Sequence, residues 1–375
     1  MSVIQVTNAG VYHDSSTEWM ANRYHFDRLI DHGYTFDQST HYNDIDTFVQ
    51  STHELKFATY HVPFDDPQWV NKFKQVYPHV NHSFVFCSEL HQNTVDQMRE
   101  LDLEHVTMFV CGFINRPFIK AKILPWMDWF DTTAYFYKTI RPTLLEDNLT
   151  VHNNKPKYFD ILLGCQRVHR NHVFSYIQSN QLVDQVIMAY HRHWSQDLRE
   201  SGEYIFDDDN VEFIEPLHHT INKVNYYGHE IMLSQIVPLK IYNDTYYSVV
   251  TETNAVNEFN FYTEKTVKPI LGKRLFVIIA GQHFLKNLRS LGFCTFDGII
   301  DESYDQIADD ADRWTQALDQ VRALCQRDPV EVYQQIQHIV EHNQQLMLTR
   351  EWYKDFNRSL AAELAPFLQP LQTQN

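Results

Sequence analysis

Short apolar runs alternate with longer amphipathic stretches along this chain. Residues 3–7, 57–61, 83–87 and 106–110 read as strands. Residues 17–32, 66–76 and 91–101 between them carry helical spacing. In the first of these, Trp19, Tyr24, Phe26, Leu29 and Ile30 form a rough apolar face. Strand–helix–strand alternation predicts an open parallel sheet. Residues 126–141 are rich in aromatics and fit neither period. The polar run 146–157, with Asn148, Asn153, Asn154, Lys155 and Pro156, predicts an interdomain linker.

The alternation then restarts. Residues 158–164 predict a strand ending in Gly164, 169–180 a helix and 185–190 the next strand. Residues 197–210 are polar loop material. Residues 229–235 predict a helix, 239–242 and 246–251 strands, 275–280 a core strand and 284–291 a helix. From Tyr304 the pattern is helical almost to the end, with breaks expected near Pro329 and Pro366.

Composition narrows the class. The 375 residues suit two cores rather than one, each of roughly 150–200 residues. The hydrophobic share of 43% provides enough apolar mass to bury them and argues against disorder. A net charge of −17 disfavours a dedicated nucleic-acid binder, which needs a basic face. Cys87, Cys111, Cys165, Cys294 and Cys325 are scattered and show no paired spacing, so they read as reduced thiols. The amino terminus lacks the pattern of a signal peptide, and no apolar run approaches the ~18 residues of a membrane span. A cytoplasmic protein, bacterial or in an infected host cell, is the expectation.

Candidate chemistry gathers at two places. Gly164-Cys165-Gln166-Arg167-Val168-His169-Arg170 follows a predicted strand and opens a helix. Strand ends in open α/β sheets collect ligands, helix amino termini attract phosphate, and arginine forks grip its oxygens. The second place runs from Ser248 to Lys268. Glu252 ends a strand, and Thr263-Glu264-Lys265-Thr266-Val267-Lys268-Pro269 packs cations and a carboxylate before the core strand. Such a set suits an anionic ligand carrying hydroxyls: Glu252 and Glu264 for hydroxyls, Lys265 or Lys268 for phosphate. A Glu252–Lys265 salt bridge in an ordinary helix start is the competing reading.

The runs 247–253, 261–270, 291–296 and 300–305 resemble a group of glycosyltransferase-like proteins common in phage and marine microbial genomes. The Thr263-Glu264-Lys265 core is also similar to the donor-binding motif of α-1,3-fucosyltransferases, which have the GT-B fold. The resemblance covers residues 158–310. It implies Glu264 and Lys265 at the nucleotide sugar and Arg167 or Arg170 at the diphosphate. Beyond Lys265, Thr266-Val267-Lys268-Pro269 replaces the alanine-rich continuation of that family.

The expectation is therefore an α/β protein of two Rossmann-like domains, GT-B-like, with a deep interdomain cleft and C-terminal helices. Residues 1–150 would be the acceptor side, 156–340 the nucleotide-sugar (donor) side, and 341–375 helices packing back on the first domain. The activity implied is sugar transfer from a nucleotide-diphosphate sugar, such as a UDP- or GDP-sugar, to a hydroxyl acceptor. A glycan is the favoured acceptor, and a hydroxymethylated base of phage DNA is the alternative. A GT-B-like epimerase and a non-catalytic interaction protein stay open. His13 and Asp14, after the first strand, are candidate bases, with His61 a further one. Asp207-Asp208-Asp209 carries an Asp-x-Asp spacing, but a solvated turn is the preferred reading, so no metal or other cofactor is expected. The aromatics from Trp126 to Tyr137 suit packing better than ligand stacking.

Overall fold

A computed structural model describes residues 3–8, 35–36, 56–61, 74–75, 77–87, 99, 104–115, 120–151, 154–191, 210–214, 223–255 and 259–372. The fold is mixed α/β with parallel sheets. The chain divides into two compact units, Met1–Asp128 with Glu351–Asn375, and Trp129–Arg350.

The first unit holds strands β1 (Val3–Asn8), β2 (Thr35–Phe36), β3 (Lys56–His61), β4 (His82–Cys87), β5 (Val106–Val110), β6 (Gly112–Ile114) and β7 (Lys122–Pro125). Six of them form one parallel sheet in the order β2-β1-β3-β4-β5-β7. The order reverses direction between β1 and β3. β5 is buried along its whole length, as expected of a strand covered on both faces.

The chain's last helix, Trp352–Gln372, belongs to this unit. Its buried residues Phe356, Leu360 and Leu364 recur every fourth position and so share one face. The Phe356 ring meets Phe109, Trp126 and Phe86 at 4.9, 5.6 and 6.1 Å between centroids. The same face carries Glu363, which accepts from the Thr107 hydroxyl at 3.0 Å and pairs with the Lys122 ammonium. Because Thr107 donates to Glu363, its oxygen is left to accept from His82 Nε2, 2.9 Å away. Burial lowers the His82 pKa to about 4, so the ring is neutral at pH 7.

The break expected at Pro366 does not occur; the helix runs through it. A proline removes one helical donor, and packing beyond it holds the helix: Phe367 lies against His82 at 5.6 Å. The interruption falls instead at Arg350 and Glu351.

The second unit contains helices α1 (Asp128–Tyr135, opening at the boundary), α2 (Leu144–Asn148), α3 (Val168–Ser179), α4 (Leu239–Asp244), α5 (Glu264–Leu271), α6 (Phe284–Ser290), α7 (Asp310–Leu324) and α8 (Pro329–Thr349). The aromatic run is thus helical, α1 continuing into a π turn over Phe136–Ile140. Its rings pack: Phe130 lies edge-on to Tyr262 and Phe293, and Phe136 lies against Tyr226. Pro329 is the first residue of α8, where its missing N–H costs nothing.

Strands β8 (Lys157–Cys165), β9 (Val186–His191), β10 (Val211–Glu212), β11 (Lys223–Tyr226), β12 (His229–Met232), β13 (Thr245–Thr251), β14 (Phe259–Phe261) and β15 (Phe276–Ile279) complete the unit. Four of them make a parallel sheet in the order β15-β13-β8-β9. The described part of the polar run 146–157 lies in this unit, where the Thr150 N–H donates to Asn243 Oδ1 at 2.9 Å.

Two expected elements differ. Residues 229–235 are a strand followed by a 3-10 turn, because β11 and β12 form a hairpin through Tyr227 and Gly228. Both turn residues have positive φ, 50° and 81°, the geometry that matches strand twist. Residues 239–242 are helical rather than extended, since short apolar runs carry no decisive period. The end of that helix is secured by tertiary cations. Arg274 Nη1 and the Lys155 ammonium both donate to the Tyr242 carbonyl.

Arg274 also anchors the amino-terminal edge of the sheet. Its guanidinium pairs with the buried Asp160 of β8 at 2.8 Å and donates to Ser248 Oγ and the Thr245 carbonyl. Asp160 is an isolated charge in an apolar strand, which burial makes costly unless it is paired and hydrogen-bonded.

Replacing Phe356 with alanine removes the ring on which the last helix docks. The expected loss is about 3–5 kcal/mol, read from denaturant unfolding followed by tryptophan fluorescence, with Trp126 beside the lost ring.

Candidate functional site

In the second sheet the chain leaves the carboxyl end of β8 toward β9 on one side. It leaves the carboxyl end of β13 toward β15 on the other. Adjacent strands whose connections diverge in this way open a crevice at their carboxyl ends, the usual ligand position of an open α/β sheet. Both sequence-marked stretches lie there, Cys165–Arg170 after β8 and Glu252–Lys268 after β13.

Three helix amino termini serve this edge, and two are occupied by the chain's own carboxylates. At α5, the Glu252 carboxylate accepts from Thr263 N at 3.3 Å, from Thr263 Oγ1 at 2.7 Å and from the Thr266 hydroxyl. It also accepts from its neighbour Thr253 N at 3.2 Å. Glu252 is completely buried. Burial pushes its carboxyl pKa up, opposed by Lys265 and by the two threonine hydroxyls. At α6, Asp305 accepts from Leu285 N and Lys286 N at 2.9 and 3.0 Å.

The third, α3, differs. Its cap position is Arg167, whose side chain makes no cap hydrogen bond, and its first turn contains no acidic residue. Over 12 residues its dipole concentrates positive potential at that end. Arg167 and Arg170 stand at the same terminus.

Arg167 is half-buried, and its Nη1 donates to the Thr253 carbonyl at 2.7 Å, which among the described residues leaves the other donors of its fork unengaged. Arg170 is 2% exposed. Its Nη1 reaches the Cys165 carbonyl at 2.9 Å, while Nε has no hydrogen-bond partner among the described residues. Gly164 makes that placement feasible: a Cβ there would lie 3.1 Å from Arg170 Nη1. His169 is buried between Glu252 and Trp314, its Nε2 2.9 Å from the Glu252 carbonyl and its ring 5.9 Å from the indole. A carbonyl only accepts, so Nε2 carries the proton. Burial, with Arg170 adding to it, lowers the His169 pKa to about 3.

The second stretch reaches the same point. The Lys265 ammonium donates to Glu264 Oε1 at 2.7 Å, Thr253 Oγ1 at 3.2 Å and Thr263 Oγ1 at 3.4 Å. Arg167 and Lys265, distant in sequence, therefore converge on Thr253, one through its carbonyl and the other through its hydroxyl. Glu264 is buried; burial raises its pKa, but Lys265 and Lys268 outweigh that, and the carboxyl sits below its ordinary value. Lys268 lies one turn further along α5. Desolvation lowers its pKa against the pull of Glu264. The direct Glu252–Lys265 salt bridge weighed from sequence does not form: the partner of Lys265 is Glu264, and threonines hold Glu252.

His13 and Asp14 lie outside the described residues, as do Asp207-Asp208-Asp209. Only the backbone of His61 is described, at the end of β3. Among the described residues no group of three metal-ligating side chains is gathered.

Sequence reasoning missed Thr253 as the common strut and His169 as the link between α3 and β13. The signal for Thr253 was its place directly after a strand end. His169 carried none, because its partner is a backbone carbonyl. A scan of protein-family models finds no match to this chain, and a search of curated proteins finds none.

His169 sets a pH signature. Its folded pKa, about 3, lies below the ordinary 6.5, so the unfolded chain binds the proton more tightly. The neutral ring's contribution to stability is complete above pH 6.5 and is lost as the pH falls toward 3. His169→Gln keeps a donor for the Glu252 carbonyl and removes that titration. The stability gap between wild type and variant, from urea midpoints, is expected to narrow with acid by at most about 1.4 kcal/mol per pH unit.

Proposed function

We propose that the second unit binds a nucleotide-diphosphate sugar at the carboxyl ends of β8 and β13, and that the protein is a glycosyltransferase. The observation that supports this best is the uncapped amino terminus of α3. It stands beside two arginines and Lys265, while the neighbouring helix termini hold internal carboxylates. A diphosphate supplies the charge that this end lacks.

In this reading the diphosphate lies on the first turn of α3, held by the remaining donors of the Arg167 fork and by the Lys265 ammonium, which exchanges its 3.4 Å contact to Thr263 Oγ1 for a phosphate oxygen. Arg170, fixed on the β8 backbone, adds positive potential from below. Glu264 orients Lys265 and offers its remaining oxygen to hydroxyls of the ribose or donor sugar. Glu252 acts as a positioning residue, since its oxygens already serve Thr253, Thr263 and Thr266. Lys268 adds charge behind Glu264.

The reaction breaks the bond between the sugar C1 and the diphosphate oxygen, whose electron pair stays on the leaving group. The acceptor oxygen forms the new bond to C1 and gives its proton to a base, for which His13 and Asp14 are proposed. Arg167, Lys265 and the helix dipole offset the charge that develops on the leaving group, a role that preorganised donors fill without a metal. The larger architecture is proposed as two Rossmann-like domains with the acceptor cleft between them, and a glycan as acceptor. The reversal of strand order between β1 and β3 supports a corresponding crevice in the first sheet.

A panel of UDP- and GDP-sugars, tested by calorimetric titration and by release of the nucleoside diphosphate in the presence of glycan acceptors, decides the matter. One donor is expected to bind, and Arg167→Ala and Lys265→Ala each to weaken it by about ten-fold or more. No binding by any donor, or unchanged affinity in both variants, overturns the reading.

A further inference from the structure

A second feature lies at the opposite, amino-terminal edge of the same sheet. A cavity of about 310 Å³ is bounded by the segment before β8, the end of α4, the turn between α5 and β15, and the first turns of α8. Its size is at the lower end of small-molecule pockets. Lys155, Lys273, Arg274, Tyr242, Tyr246 and Tyr247 line it, and no Asp or Glu is among the lining residues.

The floor is rigid. The Tyr242 ring lies under the Arg274 guanidinium at 4.2 Å. The ring also approaches Gly272 so closely that a Cβ there would sit 2.8 Å from it and 3.2 Å from Arg274 Cδ. Arg274 itself is neutralised by Asp160, so the uncompensated charge comes from the two lysines. Lys273 is half-buried, its ammonium has no hydrogen-bond partner among the described residues, and its φ of 52° fixes its backbone in the left-handed region. Lys155 is half-buried and donates to the Tyr242 carbonyl, and its own backbone N–H donates to Tyr246 Oη at 2.9 Å. Tyr247 is 2% exposed, and its buried hydroxyl has no hydrogen-bond partner among the described residues.

We infer that this cavity is a ligand site for a small organic anion, a carboxylate or phosphate on a flat ring. The Lys273 ammonium, joined by Lys155 in its protonated form, takes the anion, and the half-buried Tyr246 ring takes the plane. This site is separate from the edge where α3 begins, since its lining comes from the amino-terminal ends of β13 and β15. Burial, with Arg274 adding to it, brings the Lys155 pKa down to about 7, against Asp160 and Asp244. Much of the Lys155 amine is therefore neutral and reactive near neutral pH, and this provides a readout local to the pocket.

The test uses the full chain at pH 7 with phenyl phosphate, benzoate and neutral benzyl alcohol as probes. Acylation of Lys155 by an amine-reactive ester is followed by peptide mass spectrometry. At least one of the two anions is expected to protect Lys155 while benzyl alcohol does not, and the pattern identifies the preferred anionic group. Lys273→Asn, which suits the left-handed backbone, is expected to weaken that protection about ten-fold or more while leaving the thermal midpoint unchanged. Arg167→Ala is expected to leave it intact. Protection by neither anion, equal protection by benzyl alcohol, equal protection in Lys273→Asn, or its loss in Arg167→Ala overturns the inference.

Discussion

The buried carboxylate of Glu252 is the constraint on which the site depends. It ends β13 inside the protein, where an unsatisfied charge is very costly. It is satisfied by Thr253, Thr263 and Thr266, which draws the start of α5 onto the end of the strand. That closure brings Lys265 to Thr253, where Arg167 arrives from the neighbouring strand end. It also fills the amino terminus of α5 with internal charge. At the neighbouring strand end the cap residue of α3, Arg167, makes no side-chain cap hydrogen bond, so among the described residues the two helix starts at this edge differ in what satisfies them.

The opposite edge of the sheet is built by the reverse arrangement. There a buried cation, Arg274, gathers the carbonyls of Tyr242, Thr245 and Tyr247 along with Asp160. A guanidinium suits that position because it offers several donors in a fixed plane. The two networks hold β8, β13 and β15 from both ends, so the strands that present Arg167 and Thr253 are rigid. A site on rigid elements keeps its donors aligned without reorganisation.

In the first unit the same economy of polar groups couples the last helix to the sheet. Phe356 provides the apolar contact, and the chain His82–Thr107–Glu363 orders the polar edge of that contact. Burial of a neutral histidine and a charge-assisted hydrogen bond stand side by side, and together they fix which face of the helix meets the strands.

The apolar runs of β4, β5, β8, β13 and β15 were legible in the sequence, because a strand covered on both faces must be continuously hydrophobic. So was the pairing of Gly164–Arg170 with a strand end and a helix start, since glycine, arginine and helix spacing are all local signals. Residues 229–235 and 239–242 were not legible. The first became a strand through pairing with β11, and the second a helix whose end is held by Arg274 and Lys155, and neither partner is local. The roles within the charged cluster were equally undetermined. Residue type marked Glu252, Glu264 and Lys265 as a set, but only tertiary burial decided that threonines satisfy Glu252 and that Lys265 turns to Glu264. Local sequence fixes which groups are present. Their free energies depend on which partners and how little water surround them, and that is settled only when distant segments meet.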